Sequence, residues 1–579
     1  MNIKASSATE PAENSAGDAF DLIVVGAGVG GLTAALVGAL TGQRTLVLEK
    51  SATVGGTSAR SSGTVWIPDN RYLRRAGVDG DATVALGYLD ALVGERAPRG
   101  MREAFIAAGP EMLDFLQSRT DLAFQPYPFA PDYRQELPGA AEGLRPLEPL
   151  PFDGRALGRH FHEVGWPLPE LMLFGKMMIT RGEAARLLGL GRSARETVQG
   201  MALGARLVTR YALDRLRHRR GTRLVLGNAL VARLYKNLLD RRVPVWLGSA
   251  PTELLRSGGR VSGVRAMRNG SPIELQARNG VVLAGGGFPA NPQMRERYLP
   301  SPVPQYTAAF EGCTGDTLQI ALEAGAALGP SGEDNALWFP SSVFQRKDGS
   351  TAVYPHIVLD RAKPGLIAVD AAGKRFVNEG VSYHDFTRAM FRAHQATPCI
   401  PAWLICDRRF VWNYGLGAIL PRTLRLKPHL KRGYLHSGPT LAALAEKIGV
   451  EPAGLAGTVR RHNEYARGGV DAEFGKGSGV YDRGNGDPNH RPNPCLGPIE
   501  TPPFCAMAVY PTPLGTSLGL QTDEAARVLD KEGAPILGLY ACGNDQHSAF
   551  GGQYPGAGAQ LGLAMVFAYL AAIHAAEGG

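Results

Sequence analysis

The C-terminal part of this chain places a phenol beside glycine N–H groups, a combination that could polarise a carbonyl oxygen. Residues 538–545 read Gly-Leu-Tyr-Ala-Cys-Gly-Asn-Asp, and residues 551–562 read Gly-Gly-Gln-Tyr-Pro-Gly-Ala-Gly-Ala-Gln-Leu-Gly before an apolar helix. A phenol O–H at Tyr554 and a free backbone N–H that converge on one point are the parts of an oxyanion hole, and the helix offers its positive end to the same place. The alternative is a turn that uses Gly and Pro for local reasons before a buried helix.

A glycine-rich turn near the N-terminus predicts a nucleotide site. Residues 21–25 predict a short apolar strand, and a turn containing Gly26, Gly28 and Gly31 joins that strand to a helix. Glu49 ends the next predicted strand, where a carboxylate can bond ribose hydroxyls. The glycines let the backbone approach a pyrophosphate, whose charge faces the helix N-terminus. Together these features predict a dinucleotide-binding site.

Two further segments favour FAD over NAD as the dinucleotide. Residues 50–68 form a loop of small residues whose hydroxyl and N–H groups suit a long cofactor lying against the backbone. Residues 279–288 predict a buried strand that ends in glycines, where the backbone must pass the cofactor closely. The residues predicted to contact FAD are Gly26, Gly28, Gly31, Glu49, Lys50, Gly56, Thr57, Ser58, Ser62, Gly63, Gly285, Gly286, Gly543, Asn544, Gln560 and Leu561.

Composition indicates an ordinary globular protein. The chain has 579 residues, of which 44% are hydrophobic, and its formal net charge is +9. We expect no nucleic-acid partner, because no basic run carries interleaved aromatic residues. Residues 1–18 lack the apolar core of a signal peptide and are predicted to be a disordered tail. No apolar stretch is long enough to predict a membrane span, so we expect a cytoplasmic protein or one attached to the inner face of the membrane.

The cysteines and histidines give no sign of a metal site. Six cysteines are scattered without a CxxC pair, and twelve histidines show no HxxxH spacing. The sequence therefore predicts reduced thiols, no zinc and no iron–sulfur cluster.

The domain organisation is predicted to be interleaved. The nucleotide-binding pattern of residues 20–50 finds its partner segments only near Val281 and again at residues 535–543. We therefore predict an α/β fold with a Rossmann-like FAD-binding domain, built on a parallel sheet, and an inserted α+β catalytic domain. The predicted units are a tail (1–18), the first part of the FAD-binding domain (19–335), the catalytic domain (336–502) and the second part of the FAD-binding domain (503–579).

A basic helical insertion is predicted at residues 169–223. In it, Arg206, Arg210, Arg215, Arg217, Arg219 and Arg220 far outnumber the acidic residues. A basic amphipathic helix can lie on an anionic membrane surface. It can equally be a solvated face over an apolar stripe that points into the core, and the sequence leaves both interpretations open.

At this point the chain resembles a known family, the flavoproteins of the fumarate reductase and succinate dehydrogenase type, and within it the 3-ketosteroid Δ1-dehydrogenases. The marks that carry the resemblance are residues 56–68 (Gly-Thr-Ser-Ala-Arg-Ser-Ser-Gly-Thr-Val-Trp-Ile-Pro), 131–133 (Pro-Asp-Tyr), 375–383 (Arg-Phe-Val-Asn-Glu-Gly-Val-Ser-Tyr) and 554–558 (Tyr-Pro-Gly-Ala-Gly). The resemblance covers nearly the whole chain from Asp21 onwards, apart from the insertion. It implies an FAD-dependent dehydrogenase that forms a C=C bond next to the carbonyl of a hydrophobic cyclic ketone.

The resemblance also implies roles for four residues. Tyr383 matches the tyrosine that takes the C2 proton of the steroid, and Tyr133 matches a tyrosine that hydrogen-bonds that base. The Tyr554 O–H and the Gly558 N–H match the pair that polarises the C3 carbonyl. A polarised ketone has a more acidic α C–H, so a phenolate can remove that proton while the neighbouring C–H passes as hydride to flavin. Packing roles remain the alternative for each tyrosine.

Departures from the family pattern limit what the resemblance implies about substrate and cofactor attachment. Ala557 and Ser517 stand where steroid enzymes tend to carry Pro and Lys, which leaves another ketone open as substrate. The His-Gly-Ala-Asn-Arg motif of the carboxylate-binding branch is absent, which argues against fumarate or succinate. The loop near Thr57 lacks the histidine that attaches FAD covalently in succinate dehydrogenases, so we expect a dissociable flavin.

Several alternatives remain at this stage. Within enzymes they are 4,5-dehydrogenation of a 3-ketosteroid and the reverse reduction of an enone. Outside enzymes they are a flavin-binding electron carrier and a membrane-docked interaction protein. The predicted partners are a hydrophobic ketone, an unidentified electron acceptor and, for the basic insertion, a membrane surface.

Overall fold

The computed structural model describes residues 19–127, 129–173, 175–188, 194–357 and 359–578. The predicted tail (1–18) lies outside the described residues. Two large sheets and two small ones organise the described part of the chain.

Nineteen strands are numbered in chain order. They are β1 (Phe20–Val25), β2 (Thr45–Leu48), β3 (Val65–Trp66), β4 (Phe124–Pro126), β5 (Pro146–Pro149), β6 (Phe152–Asp153), β7 (Arg223–Leu224), β8 (Val245–Trp246), β9 (Ser249–Ser257), β10 (Arg260–Arg268), β11 (Ser271–Leu283), β12 (Ala336–Gln345), β13 (Thr351–Pro355), β14 (Leu366–Val369), β15 (Ala402–Asp407), β16 (His436–Gly438), β17 (Phe504–Thr516), β18 (Arg527–Leu529) and β19 (Pro535–Ala541).

Seventeen α-helices accompany these strands in the described residues. They are α1 (Val29–Leu40), α2 (Gly56–Arg60), α3 (Arg71–Arg75), α4 (Asp81–Val93), α5 (Arg99–Arg119), α6 (Arg181–Leu188), α7 (Ala194–Arg215), α8 (Leu226–Asp240), α9 (Pro292–Tyr298), α10 (Asp316–Glu323), α11 (Tyr383–His394), α12 (Arg408–Tyr414), α13 (Lys427–Lys431), α14 (Leu441–Ile448), α15 (Pro452–Gly468), α16 (Val480–Asn485) and α17 (Ala559–Ala576).

The first large sheet joins segments that are far apart in the sequence. Its strand order is β18-β19-β11-β1-β2-β8, and the pairs from β19 through β11, β1 and β2 to β8 are parallel. β1 is apolar and buried, as expected for a parallel strand covered on both faces. β1 pairs with β11 and β11 pairs with β19, so the predicted partner segments near Val281 and at residues 535–543 lie in the same sheet as the N-terminal strand, and the α/β fold class is confirmed.

The second large sheet is antiparallel and has the order β13-β12-β17-β15-β14, with β16 also paired to β17. Its strand β17 begins beyond the predicted domain boundary at residue 502, so this sheet extends to residue 516. The predicted domain limits themselves stay a prediction. After β14 the chain turns back, and Arg375 forms an isolated bridge with Val369.

The C-terminal helix α17 is the most apolar long element. Among the described residues it is the one helix long and apolar enough to cross a membrane by length and composition. However, 67% of that stretch is buried, and residues of α17 share the largest apolar cluster with α1 and α5. A helix that is apolar on all sides and largely enclosed is typical of a protein core.

Candidate active site

A cavity of about 1240 Å³ lies between the glycine turn of the first sheet and the second sheet. The turn after β1 and the N-terminal end of α17 contribute to one end of the lining. Side chains of β12, α11 and α16 also contribute to the lining. The four residues predicted for catalysis, Tyr133, Tyr383, Tyr554 and Gly558, all line this cavity.

Tyr383 is held at the first position of α11. Ser382 caps the helix, because its Oγ accepts a hydrogen bond from the Asp385 N–H at 3.1 Å. The Ser382 hydroxyl also donates to the Asp385 carboxylate at 2.7 Å, which fixes the start of the helix. The Tyr383 side chain packs at 4.6 Å, centroid to centroid, from the Phe339 ring on β12. A helix start and a strand therefore determine where this phenol lies.

Tyr133 meets Tyr383 across 250 residues of sequence. Their hydroxyl oxygens are 2.9 Å apart, with Tyr133 donating to Tyr383. The loop that carries Tyr133 is anchored by the neighbouring Asp132, whose carboxylate accepts from Arg145 at 2.5 Å and from the Trp66 indole at 2.8 Å. All three anchoring side chains are buried, so the loop cannot move without breaking charged hydrogen bonds.

Tyr554 lies against the same pair of phenols. Its ring centroid is 5.5 Å from those of both Tyr133 and Tyr383. The Tyr133 N–H donates to the Pro555 carbonyl at 2.8 Å, which ties the two loops together. The sequence-remote tyrosines predicted for catalysis therefore form one cluster.

Gly558 precedes α17 with a φ of +91°, a conformation that favours glycine. A Cβ there would lie 2.4 Å from the Thr64 carbonyl oxygen, so no larger residue fits. In the described part of the chain nothing accepts a hydrogen bond from the Gly558 N–H. This N–H and the Tyr554 hydroxyl are thus two donors on the wall of one cavity.

Burial dominates the ionisation of these phenols. It raises the pKa of Tyr383 well above its usual value, and the neighbouring Tyr133 and Tyr554 raise it further. Burial likewise raises the pKa of Tyr133 well above the usual value and that of Tyr554 to about 12. The cluster is therefore protonated at neutral pH, and its capacity to accept a proton increases as the pH rises.

Two further aromatic residues near these phenols were not predicted from the sequence. Tyr481, on the short helix α16, lies 5.1 Å from the Tyr133 ring, centroid to centroid, and lines the cavity. Tyr127 also lines it. Neither belongs to a recognisable motif, and no periodicity marks them, so no signal in the sequence could have identified them.

The glycine turn after β1 has the geometry of a phosphate-binding turn. Gly26 has a φ of +107°, and a Cβ there would lie 2.2 Å from the Ala284 carbonyl oxygen. A Cβ at Gly31 would lie 1.9 Å from the Gly26 carbonyl oxygen, which shows how closely α1 packs on the turn. The turn keeps side chains away from the N-terminus of α1, where a pyrophosphate binds in such folds.

Fourteen of the sixteen residues predicted to contact FAD line the cavity. The exceptions are Gly31, which packs α1 against the turn, and Gly63, whose Cβ would meet the backbone of Leu226 and Gly227. Glu49 is buried, and its carboxylate accepts from the Ala27 and Ser51 N–H groups, each at 2.8 Å. It therefore stands at the end of β2 beside the turn, where a ribose would lie.

Asp545 is a buried carboxylate at the end of the segment 538–545, and the sequence alone predicts no role for it. It accepts from the Gly285 N–H at 2.6 Å and from the Gly287 N–H at 2.8 Å, and so fixes the glycines after β11. Nearby, the Gln560 side chain donates to Asn544 at 2.7 Å. These bonds fix the backbone along this part of the cavity. Among the described residues no group of His, Cys, Asp and Glu side chains is arranged to hold a metal ion.

Comparison with known proteins agrees with this geometry. A family model described as an FAD binding domain matches residues 21–561. A 3-oxosteroid 1-dehydrogenase of Mycobacterium tuberculosis (strain ATCC 25618 / H37Rv) is 38% identical, over 96% of this chain and 98% of that protein. A 4-oxocyclohex-2-ene-1-carboxylate 5-dehydrogenase of Sinomonas cyclohexanicum is 36% identical, over 96% and 93%.

A solved structure is similar over its whole length. The 3-ketosteroid Δ1-dehydrogenase of Sterolibacterium denitrificans, in complex with 1,4-androstadiene-3,17-dione, superposes with a TM-score of 0.90 at 39% identity, over 97% of this chain and all of that chain. FAD is the cofactor indicated by the glycine turn after β1, by the match to the family model and by these relatives. The chain is an FAD-dependent oxidoreductase and belongs to the FAD-binding family that includes the 3-oxosteroid 1-dehydrogenases.

Proposed function

We propose that this enzyme introduces a C1–C2 double bond into 3-ketosteroids. The observation that carries the proposal is the meeting of the Tyr133–Tyr383 pair, Tyr554 and Gly558 on the wall that the FAD-binding residues share. A carbonyl-polarising pair, a base and a hydride acceptor are the parts that an α,β-dehydrogenation requires. An electron carrier would need none of these tyrosines.

Each residue has a role in this proposal. The Tyr554 hydroxyl and the Gly558 N–H hydrogen-bond the C3 carbonyl oxygen, which acidifies the C2–H bond. Tyr383 takes the C2 proton on its oxygen, with Tyr133 hydrogen-bonded to it. The hydride that leaves C1 would need an acceptor, which FAD bound beside the glycine turn would supply. The electron pair of the C2–H bond becomes the new C1=C2 bond, so atoms and electrons balance.

The cavity wall beyond the tyrosines favours a steroid over a small carboxylate ketone. Its large apolar side chains include Phe339, Phe344, Ile357, Leu359, Leu420 and Leu514. The four lysine and arginine side chains that line it have partners on the protein: Lys50 pairs with Asp316, Arg60 pairs with Glu311, Arg181 lies 3.6 Å from Glu148, and Lys363 donates to the Gly486 carbonyl. A substrate carboxylate would therefore compete with existing contacts, whereas a fused hydrocarbon skeleton gains from the apolar wall.

The test is anaerobic mixing of the purified flavoprotein with a panel of ketones while the flavin absorbance is followed. We expect FAD to be released by denaturation, which gives the site concentration, and we expect 3-ketosteroids to bleach the flavin. A 5α-saturated 3-ketosteroid should lose hydrogen from C1 and C2, as its product would show.

The same panel separates the alternatives. A product desaturated at C4–C5 would contradict the proposed position. Bleaching by 4-oxocyclohexanecarboxylate but by no steroid would contradict the proposed substrate. Bleaching by no ketone would favour an electron carrier or an enzyme that works in the direction of enone reduction.

We further propose that the basic insertion holds the enzyme at the inner face of the cytoplasmic membrane. Four apolar side chains of α7 face outwards, namely Val198, Met201, Val208 and Leu213, which are 46–67% exposed, and Leu216 just after the helix is 80% exposed. The four helical positions are three, seven and five residues apart, which at 3.6 residues per turn places them on one half of the helix surface. This exposed stripe favours the membrane interpretation over a stripe that points into the core.

Charges and the cavity mouth support the same contact. Arg206, Arg215, Arg217 and Arg219 are exposed, whereas Arg220 is buried and donates to the Val164 carbonyl, so it is not part of the basic surface. Four apolar side chains that line the cavity are also exposed and mark its mouth, namely Phe129, Leu171, Leu359 and Leu420. A docked enzyme could therefore take a water-poor substrate directly from the lipid.

We expect the protein to sediment with vesicles that contain phosphatidylglycerol and to bind them less at high salt. Each arginine near an anionic surface contributes on the order of 1 kcal/mol, so the triple variant Arg206→Gln/Arg217→Gln/Arg219→Gln should bind markedly less. The control is Arg409→Gln, an exposed arginine on α12 outside the insertion. Equal recovery in the supernatant with and without anionic lipid would contradict the proposal.

A further inference from the structure

The loop that carries the proposed carbonyl donor is rich in glycine. Residues 551–558 contain four glycines, with Tyr554 in their midst. Glycine loses more conformational freedom when it is ordered than any other residue. The loop therefore needs contacts with the rest of the protein if the Tyr554 hydroxyl is to stay where a carbonyl oxygen would meet it.

The two sides of Tyr554 are held differently. After it, the Pro555 carbonyl accepts a hydrogen bond from the Tyr133 N–H at 2.8 Å, which anchors the backbone to another loop. Before it, the Gln553 N–H donates to the Phe550 carbonyl at 2.9 Å, a bond within the same turn. On this side it is the side chain of Gln553 that reaches out of the loop.

Arg388 binds that side chain. Its Nη1 donates a hydrogen bond to the Gln553 Oε1 at 3.2 Å. Gln553 is buried, and its amide nitrogen has no hydrogen-bond partner in the described part of the chain. Within that part, the bond from Arg388 is thus the one that fixes this side chain.

Three carboxylates hold Arg388 in place. Its Nε lies 3.1 Å from the Asp334 carboxylate, and its two Nη atoms lie 3.7 Å from those of Asp385 and Glu333. Only 11% of the Arg388 side chain is exposed. A cationic donor makes a stronger hydrogen bond to an amide oxygen than a neutral donor does. The guanidinium is therefore a fixed, charged donor for the loop.

The helix that carries Arg388 also carries the proposed base. Tyr383 is the first residue of α11, and Arg388 lies five residues later, about 7.5 Å along the helix axis. Between them, the Asp385 carboxylate lies 3.9 Å from the guanidinium of Arg134, the residue that follows Tyr133. The first two turns of α11 therefore join the base to the loops that carry the other two phenols.

We propose that Arg388 is a positioning residue that sets the distance between the carbonyl donor Tyr554 and the base Tyr383 through its hydrogen bond to Gln553. The inference rests on the proposed function and deepens it. A ketone bound between these phenols needs its oxygen at the Tyr554 hydroxyl while its α C–H bond faces Tyr383, so an error in either distance slows the reaction. Neither Arg388 nor Gln553 lines the cavity, so both act through Tyr554.

The test removes each partner of the hydrogen bond. Gln553→Met keeps the length of the side chain and leaves Arg388 with its carboxylates, whereas Arg388→Gln removes the cation. Each variant should slow anaerobic flavin reduction by a 3-ketosteroid by about 10- to 100-fold, because a misplacement on the order of 1 Å can cost 10²-fold in rate. The matched control is Arg392→Gln, an exposed arginine one turn further along α11, which should keep the parental rate.

A parental rate in Gln553→Met would overturn the inference even if Arg388→Gln is slow, because the arginine would then support only the fold. FAD content per chain, measured for every variant, separates a loss of rate from a loss of cofactor.

A double-mutant cycle determines whether the effect passes through Tyr554. In a Tyr554→Phe background the hydroxyl that Gln553 positions is absent, so Gln553→Met should slow flavin reduction by less than about two-fold more. A loss by the same factor in both backgrounds would mean that the two residues act independently, which contradicts the inference.

Hydrogen exchange in the substrate-free holoenzyme tests the contact without turnover. Peptides that cover residues 551–558 should exchange faster in Gln553→Met than in the parent and in Arg392→Gln, while other peptides stay unchanged. Unchanged exchange in this loop contradicts the role of Arg388 whether or not the parent dehydrogenates a steroid. Failure of the parent to reduce its flavin with any ketone contradicts the proposed function alone.

Discussion

Replacement of Tyr383 by phenylalanine should slow flavin reduction by a 3-ketosteroid by roughly 10²–10⁴-fold, the range typical of a lost general acid or base. The substitution removes only the hydroxyl that accepts from Tyr133 at 2.9 Å. The ring still fills the space beside Phe339 and Tyr554, so folding and FAD content should be unchanged. Stopped-flow measurement of flavin absorbance under anaerobic conditions reports this step directly.

The matched control for Tyr383→Phe is Tyr540→Phe. Tyr540 is a buried tyrosine of the first sheet, and its hydroxyl bonds His574 at 2.9 Å, away from the cavity lining. The Tyr540→Phe variant loses the same hydroxyl oxygen from an equally buried ring, and it should reduce its flavin at the parental rate. If Tyr383→Phe reduces its flavin within a few-fold of the parent, Tyr383 is a packing residue here and the proposed base is wrong.

The raised pKa of Tyr383 also gives the sign of the pH dependence. Only the deprotonated pair can accept the C2 proton, and burial holds the pKa of both phenols above the usual value. The rate of flavin reduction should therefore rise with pH across the neutral and alkaline range until the pair is ionised.

The elements around the cofactor were predictable from sequence because local rules determine them. An apolar run followed by Gly26, Gly28 and Gly31 has few structural solutions other than a strand, a tight turn and a helix. The glycines after β11 were predictable for the same reason, because they directly follow an apolar strand. Even the placing of β1, β11 and β19 in one sheet follows from these patterns, because buried parallel strands must find apolar neighbours.

The substrate side of the cavity was predictable only through the family resemblance. The Tyr133–Tyr383 hydrogen bond joins a loop to a helix start across 250 residues, and no periodicity links them. Tyr481 and Tyr127 were missed because neither belongs to a motif and each meets the cavity only where separate segments converge. The exposed stripe of α7 was ambiguous for a related reason: an apolar stripe looks the same in sequence whether it faces a core or a membrane.

Replacement of Tyr554 by phenylalanine should cost on the order of 10²–10³ in the rate of flavin reduction, or about 2.7–4 kcal/mol, as for other lost oxyanion-hole donors. The Tyr554 hydroxyl and the Gly558 N–H are the two donors proposed for the C3 carbonyl. Gly558 gives no clean test, because a Cβ there would lie 2.4 Å from the Thr64 carbonyl oxygen. Tyr554→Phe instead leaves the ring contacts with Tyr133 and Tyr383 in place.

The variants of the donor and of the base should differ in their pH profiles. Loss of the Tyr554 donor lowers the stabilisation of the enolate-like transition state, so Tyr554→Phe should be slow at every pH and should keep a pH-dependent rate, because the Tyr383–Tyr133 pair is intact. Loss of the base in Tyr383→Phe should abolish the pH-dependent step instead. If Tyr554→Phe retains the parental rate of flavin reduction, its hydroxyl does not polarise the carbonyl. The Gly558 N–H and the positive end of α17 would then have to bear that charge without a phenol.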